Sequence, residues 1–345
     1  MSDVLFGAEG RVGRIRLNRP KALHALTTEM CDTMLDALAE FEGREDIGLV
    51  VIDHAEGRGF CAGGDIRMLA ESGQGDGSAA RAFFLSEYRL NHRLFTCDMP
   101  SVAVMDGITM GGGVGLALPC RYRIATENTR FAMPETGIGL FPDVGGGWYL
   151  PRLPGEVGTF LALTGARLDG AECVSLGLAT HYIVSADVPE VLAKLHDCTD
   201  VGALLDAHTT ALPHARILAN RVTIDTLFVG DSVETIMADL EADGGEWAQK
   251  ELATLRTKSP LSMAVALRQL REGLGMATFA EEMRQEYAIG ARMVHTHDFI
   301  EGVRALIVDK DNQPRWNPLT PEGVTVDMVD AIFAPLPVGE EWTPL

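Results

Sequence analysis

The sequence predicts an α/β fold that passes into a helical C-terminal region, and two observations carry that prediction. A unit of strand, glycine-rich loop and helix recurs from Gly48 to the glycine run after Asp143, and beyond about Val184 the apolar spacing becomes largely helical. With 345 residues, 46% of them hydrophobic, the chain is long enough for a full core plus an appended segment.

The elements follow in order. Val12 to Leu17 alternates apolar and polar residues and predicts an early strand. Thr27 to Phe41 carries Met30, Met34, Leu38 and Phe41 at helical spacing, with Thr27 or Thr28 as its cap. Gly48 to Asp53 is a short apolar strand leading into GRGFCAGGD. The strand SVAVMDG from Ser101 runs into MGGGVGLAL, which reads as a helix opening. A third strand region, Tyr122 to Met133, leads into PETGIGLFPDVGGG. Residues 186–258 are helical in pattern and acidic; LSMAVALRQLREG and FAEEMRQEYAIGARMV read as amphipathic helices, and the Pro-rich tail as a surface wrap. The division is placed near 200: residues 1–200 form the α/β core and 201–345 the helical C-terminal region.

Charge narrows the partners. With 49 acidic residues against 29 basic, the net charge is −20, which repels phosphate backbones and anionic membranes. A small anionic ligand stays possible, held by local N–H groups. Six cysteines without a CxxC pair suggest reduced thiols. The N-terminal segment shows neither an apolar signal core nor transit-peptide character, and no apolar run reaches the length of a membrane span. A soluble, cytoplasmic protein is the expectation.

Two glycine loops each follow a strand. In FCAGGD the glycines let the backbone approach a ligand and aim N–H groups at it. Gly57 to Ala62 formally fits the dinucleotide fingerprint GxGxxA, yet Gly63, Gly64 and Asp65 follow at once, so no helix opens where that fold requires one. MGGGVGLAL leaves unpaired N–H groups at the positive end of a helix dipole. One such loop is ordinarily a tight turn; two suit an oxyanion hole with one donor from each. There is no P-loop and no GxSxG elbow. Cys61 reads as a buried filler, since no neighbouring histidine offers itself as a base. His295 and His297 lack a second cluster to complete a metal site, so no metal is expected. Glu135 and Asp143 each follow a proline, precede glycines and sit among apolar residues, a setting for carboxylates of raised pKa; solvated loop acids are the plain alternative.

FCAGGD, GITMGGGVGL and FAMPETGIGLFPDVGGGWYLPRL together resemble the enoyl-CoA hydratase/isomerase (crotonase) superfamily and, within it, the 3-hydroxyisobutyryl-CoA hydrolases. LNRPKALHAL, SPLSMAVALRQL and HDFIEGVRALIVDKDNQPRWNP extend the likeness over nearly the whole chain. The resemblance implies a spiral of ββα turns with a helical C-terminal region, and an acyl-CoA substrate whose thioester oxygen is held by the N–H groups of Gly64 and Gly112. It places Leu23, Ala62, Asp65 and Ile66 near CoA, and Glu87 and Asp143 against the acyl group. It requires no cofactor beyond the CoA of the substrate, and it implies a trimer or pair of trimers unless the C-terminal region replaces those contacts.

One departure selects among activities. Hydratases of this superfamily carry a second catalytic glutamate three residues after the oxyanion glycine, where this chain has Gly115. The resemblance therefore implies a thioesterase using Glu135, in valine degradation. An isomerase or hydratase working with Glu135 alone, and a non-catalytic CoA-ester-binding protein, are the competing expectations; release of free thiol separates them.

Overall fold

Val50 and Ile52 turn to one side of their strand, Leu49 and Val51 to the other, and both sides are buried. A strand apolar on both faces belongs inside a parallel sheet covered on both sides. The computed structural model, which describes residues 2–345, builds two such sheets.

The strands are β1 (Val4–Glu9), β2 (Val12–Leu17), β3 (Leu49–His54), β4 (Gly59–Cys61), β5 (Ser101–Met105), β6 (Ile108–Met110), β7 (Tyr122–Ala125), β8 (Arg130–Ala132), β9 (Leu168–Asp169) and β10 (His181–Tyr182). The six-stranded sheet has the order β1-β2-β3-β5-β7-β10, and the four-stranded sheet β4-β6-β8-β9. Only β1 with β2 and β8 with β9 pair antiparallel. Each successive pair, β3-β4, β5-β6 and β7-β8, thus places one strand in each sheet before the chain moves on. This is the ββα spiral.

The helices interleave. Helix α1 (Thr28–Glu42) starts where Thr27 Oγ1 accepts from Met30 N, as a Thr cap should. Helix α2 (Ile66–Gly73) begins at the cap residue Asp65, well after the GxGxxA-like stretch, which forms β4 instead. Helix α3 (Ser78–Thr96) crosses the back of the glycine loops, and α4 (Gly112–Ala117) opens at the second of them.

Two expectations need refinement. SVAVMDG does not run directly into a helix, because β6 intervenes. Tyr122 to Met133 is two strands rather than one: the chain turns at Thr126–Thr129, where Thr129 Oγ1 accepts from Thr126 N and donates to Met105 O. Short polar side chains that bond the local backbone favour such turns over continued extension.

Beyond residue 200 the chain is helical, as its spacing predicts, but more deeply packed than amphipathic helices at a surface. Helix Pro260–Gly273 buries ten of its fourteen residues. The tail is also less of a wrap than expected. It contains helix Val326–Phe333, and Trp342 is wholly buried with its ring against His92. One apolar cluster joins residues from Val4 to Trp342, while a second, smaller one lies between the outer sheet face and helices Val188–Leu195 and Val201–His208.

Candidate active site

Three neighbouring parallel strands deliver the site. β4 pairs with β6 and β6 with β8, Met110 lying opposite Ala132. Their C-terminal ends therefore emerge side by side, carrying Ala62-Gly63-Gly64, Gly111-Gly112 and Pro134-Glu135 to one edge. Ligands in open parallel sheets gather at such ends.

The two glycine loops touch. A Cβ on Gly63 would lie 3.8 Å from Gly112 N and one on Gly111 3.2 Å from Gly63 Cα. Gly63 takes φ +117° and Gly111 φ +47°, both in the left-handed region that glycine reaches without penalty. The N–H groups of Gly64 and Gly112 have no acceptor among the described residues, and Gly112 opens α4 at the positive end of its backbone. Two free donors on converging loops form an anion-stabilising pair.

Seven of the residues expected at the site, Ala62, Gly64, Ile66, Glu87, Gly112, Glu135 and Asp143, line one cavity of about 200 Å³. Leu23 and Asp65 flank it instead. Leu23 O accepts from Ala62 N, and Asp65 caps α2 while pairing with Arg19 at 3.3 Å.

Glu135 opens a short 3-10 helix that Gly139 closes in the left-handed conformation. Its Oε2 is buried without a partner. Burial, and secondarily the charge of Asp143, holds its carboxyl well above the usual carboxylate range. Asp143 accepts a 2.8 Å hydrogen bond from the Tyr88 hydroxyl, yet burial still pushes it up to about 6. Glu87 reaches in from α3; burial first, then the charges of Asp143 and Glu135, raise it well above 4.5. Each of the three is at most 6% exposed. Three buried carboxyls in one cavity disfavour one another's ionisation.

Glu87 has a cost that can be measured. Its Oε1 is buried without a partner. A carboxyl whose folded pKa is raised stabilises the fold below its unfolded pKa and loses that contribution as pH rises. Glu87→Gln should therefore melt above wild type at pH 8, by about 1–3 kcal/mol of stability, with the gap shrinking towards pH 5. Thermal melts at both pH values check this; a variant less stable at pH 8 than at pH 5, relative to wild type, would refute it.

Gly115 is packed shut. A Cβ there would meet Val144 Cβ at 2.6 Å and Asn91 Nδ2 at 2.7 Å, and Asn91 Nδ2 donates to Gly115 O at 3.0 Å. A glutamate has no room.

Cys61, as expected, is a filler. Its thiol donates to His24 O at 3.2 Å, and burial pushes it up to about 12. His295 and His297 each bond a backbone carbonyl, of Gly73 and Arg315. No cluster of metal-ligating side chains occurs among the described residues.

Sequence reasoning missed several residues around the cavity. Phe83, Phe84 and Met110 line it, as does Ile307 from the C-terminal region, alongside Ile138 and Leu140, two of the apolar neighbours expected around the acids. Tyr88 could have been suspected from its place beside Glu87. Ile307 gave no signal, because it reaches the site through the π-helical turn Arg304–Val308. Glu286 did give one: it interrupts the stripe Phe279, Met283, Gly290, Met293 on a buried helix face.

A family model described as enoyl-CoA hydratase/isomerase matches residues 12–333. The chain belongs to the enoyl-CoA hydratase/isomerase family. Curated relatives named "3-hydroxyisobutyryl-CoA hydrolase, mitochondrial" are 44% identical in Danio rerio, over 97% of this chain and 90% of that protein, and 41% identical in Homo sapiens, over 97% and 89%. A solved structure titled as a carnitinyl-CoA dehydratase from Mycobacterium thermoresistibile is 39% identical, with a TM-score of 0.95 over 99% of both chains. Another, titled as an enoyl-CoA hydratase from Rhodobacter sphaeroides, is 40% identical, with a TM-score of 0.92 over 99% of this chain and all of that one. In this member of the enoyl-CoA hydratase/isomerase family the two glycine loops, Glu135, Asp143 and Glu87 meet at one cavity. No helix is long and apolar enough to cross a membrane among the described residues.

Proposed function

We propose that this chain is a thioesterase that hydrolyses 3-hydroxyisobutyryl-CoA to free CoA and the 3-hydroxy acid, a step of valine degradation. 3-Hydroxypropionyl-CoA, which carries its hydroxyl at the same carbon, is the second candidate substrate. The observation that carries this reading is the closed space at Gly115. Adding water across a double bond in this family employs two carboxylates; with one of them sterically excluded, the remaining acid suits attack on the thioester itself.

Glu135, once ionised, takes a proton from water as the water oxygen attacks the thioester carbon. The carbonyl π electrons move onto oxygen, and the N–H groups of Gly64 and Gly112 donate hydrogen bonds to the resulting oxyanion. The carbonyl then re-forms, the C–S bond breaks, and the departing CoA sulfur takes the proton from Glu135. Asp143, steadied by Tyr88, accepts the substrate's 3-hydroxyl, with Glu87 beside it. Direct attack by Glu135, giving a mixed anhydride, uses the same groups; trapping an acyl-enzyme with hydroxylamine distinguishes it. Leu23, Ala62, Asp65 and Ile66 are assigned to the CoA side. No metal or redox cofactor enters these steps. The curated relatives are named as mitochondrial; a cytoplasmic setting for this chain is kept as a proposal, its six unpaired cysteines suiting any reducing compartment.

Enoyl-CoA hydration is the competing reading, favoured by the likeness to a solved structure named as an enoyl-CoA hydratase. The test mixes protein with 3-hydroxyisobutyryl-CoA and follows free thiol, with crotonyl-CoA absorbance followed in parallel. Rapid thiol release supports the thioesterase; hydration without thiol release would end it.

A pH profile tests the base. Asp143 helps hold Glu135 protonated, so Asp143→Asn should move the ascending limb of kcat/KM to lower pH. Isobutyryl-CoA, which lacks the hydroxyl, is the substrate to use. A limb that stays in place would show that the charge of Asp143 does not act on the titrating base.

A further inference from the structure

Helix Phe279–Met293 buries its apolar stripe, and within that stripe Glu286 is fully buried. A leucine would fill the same space without a charge to desolvate, so the carboxylate calls for a reason. Its contacts supply one. Glu286 Oε2 accepts from Gly145 N at 2.8 Å and Oε1 from Gly147 N at 3.2 Å. Gln269, also fully buried, donates from Nε2 to Glu286 Oε1 and to Pro142 O, both at 3.0 Å.

These partners bracket Asp143. Between them Val144 sits at φ +52°, a conformation that β-branched residues avoid, so the turn does not hold its shape by local preference. Gly146 N closes the turn on Asp143 O at 2.8 Å. A Cβ on Gly147 would come within 2.8 Å of Gln269 and run into Glu282. The clamp therefore fits tightly against the backbone it holds.

We infer that Glu286, propped by Gln269, is the positioning residue for Asp143, and that through this clamp the helical C-terminal region sets the preference for acyl groups bearing a 3-hydroxyl. Glu286 lines no part of the cavity. It acts through the 142–147 turn. The inference rests on the assignment of Asp143 to the substrate hydroxyl. Misplacing a group by a fraction of an ångström is enough to lose an oriented hydrogen bond, while the oxyanion pair and Glu135, on other loops, keep their geometry.

The test is the ratio of kcat/KM for 3-hydroxyisobutyryl-CoA to that for isobutyryl-CoA, measured in wild type, Glu286→Gln, Asp143→Asn and the double variant. Glu286→Gln keeps the size of the side chain but offers one acceptor where two amides need one each. The expected result is a ratio lowered by about tenfold or more in each single variant, no further fall in the double variant, and hydrolysis of isobutyryl-CoA largely retained in Glu286→Gln. Should Glu286→Gln fail to fold, Gln269→Met removes the prop with little change in volume and should lower the ratio in the same direction. A folded Glu286→Gln or Gln269→Met enzyme that loses activity on both substrates in parallel, with the ratio unchanged, overturns the inference while leaving Asp143 in its role. A ratio unmoved by Asp143→Asn overturns both.

Discussion

Glu135→Gln reduces thiol release from 3-hydroxyisobutyryl-CoA by about 10³-fold, within the 10²–10⁴ that a positioned general base contributes. The substitution keeps the shape of the side chain and removes only its ability to take a proton. Glu135 is buried and its Oε2 has no partner, whereas Asp143 is held by Tyr88 and Glu87 reaches the cavity from α3. KM should change little, because Gln can occupy the same place beside the bound thioester. Fold integrity is checked by melting, which should show Glu135→Gln at least as stable as wild type at pH 8, since a buried group with a raised carboxyl pKa has been neutralised. A variant that hydrolyses at close to the wild-type rate would remove Glu135 from the mechanism and leave the oxyanion pair acting on unassisted water.

Gly112→Ala has the second large effect. The added methyl would meet Leu26 Cδ1 at 3.0 Å and the Gly63 carbonyl carbon at 3.3 Å, and it would run into Glu87 Oε1. Relief requires the Glu87 carboxyl to draw back and the Gly63–Gly112 approach to widen by a few tenths of an ångström, which disturbs the cavity acids and turns one N–H donor off the thioester oxygen together. Losing one such donor costs about 3 kcal/mol of transition-state stabilisation, or ~10²–10³ in kcat. Gly64→Ala is the natural comparison. Its methyl would meet the edge of the Phe83 ring at 2.8 Å, a side chain that can shift, so the loss there should be smaller. Single-turnover kinetics under saturating substrate separates this from weakened binding. Equal losses in both variants would show that ring displacement damages the site as much as loop displacement does.

Both predictions concern residues legible in the amino-acid sequence. The glycine loops stand out because glycine runs after strands have few uses, and Glu135 because a proline before it and glycines after it fix its backbone. In the sequence Gly115 is only a missing glutamate. Its meaning as a filled space, with Val144 and Asn91 occupying it, comes from packing. The turn at Thr126–Thr129 is hidden in the sequence, since two short strands with β-favouring residues on either side look like one long one.

The sequence by itself determined the repeated strand–loop–helix order, the cap that starts α1, the absence of a P-loop and of a GxSxG elbow, and the pair of loops that present N–H groups. All of these depend on residues within a few positions of one another, where conformational preference and spacing suffice. Only the tertiary structure decided that β4, β6 and β8 lie side by side, so that three loops meet. It alone brought Glu87 and Tyr88 from α3 against Asp143, set Ile307 in the cavity wall, and placed Glu286 under the 142–147 turn from more than a hundred residues away. The physical reason is that a carboxyl's pKa and a turn's strain are set by what burial places beside them. Those neighbours are chosen by the packing of the whole chain.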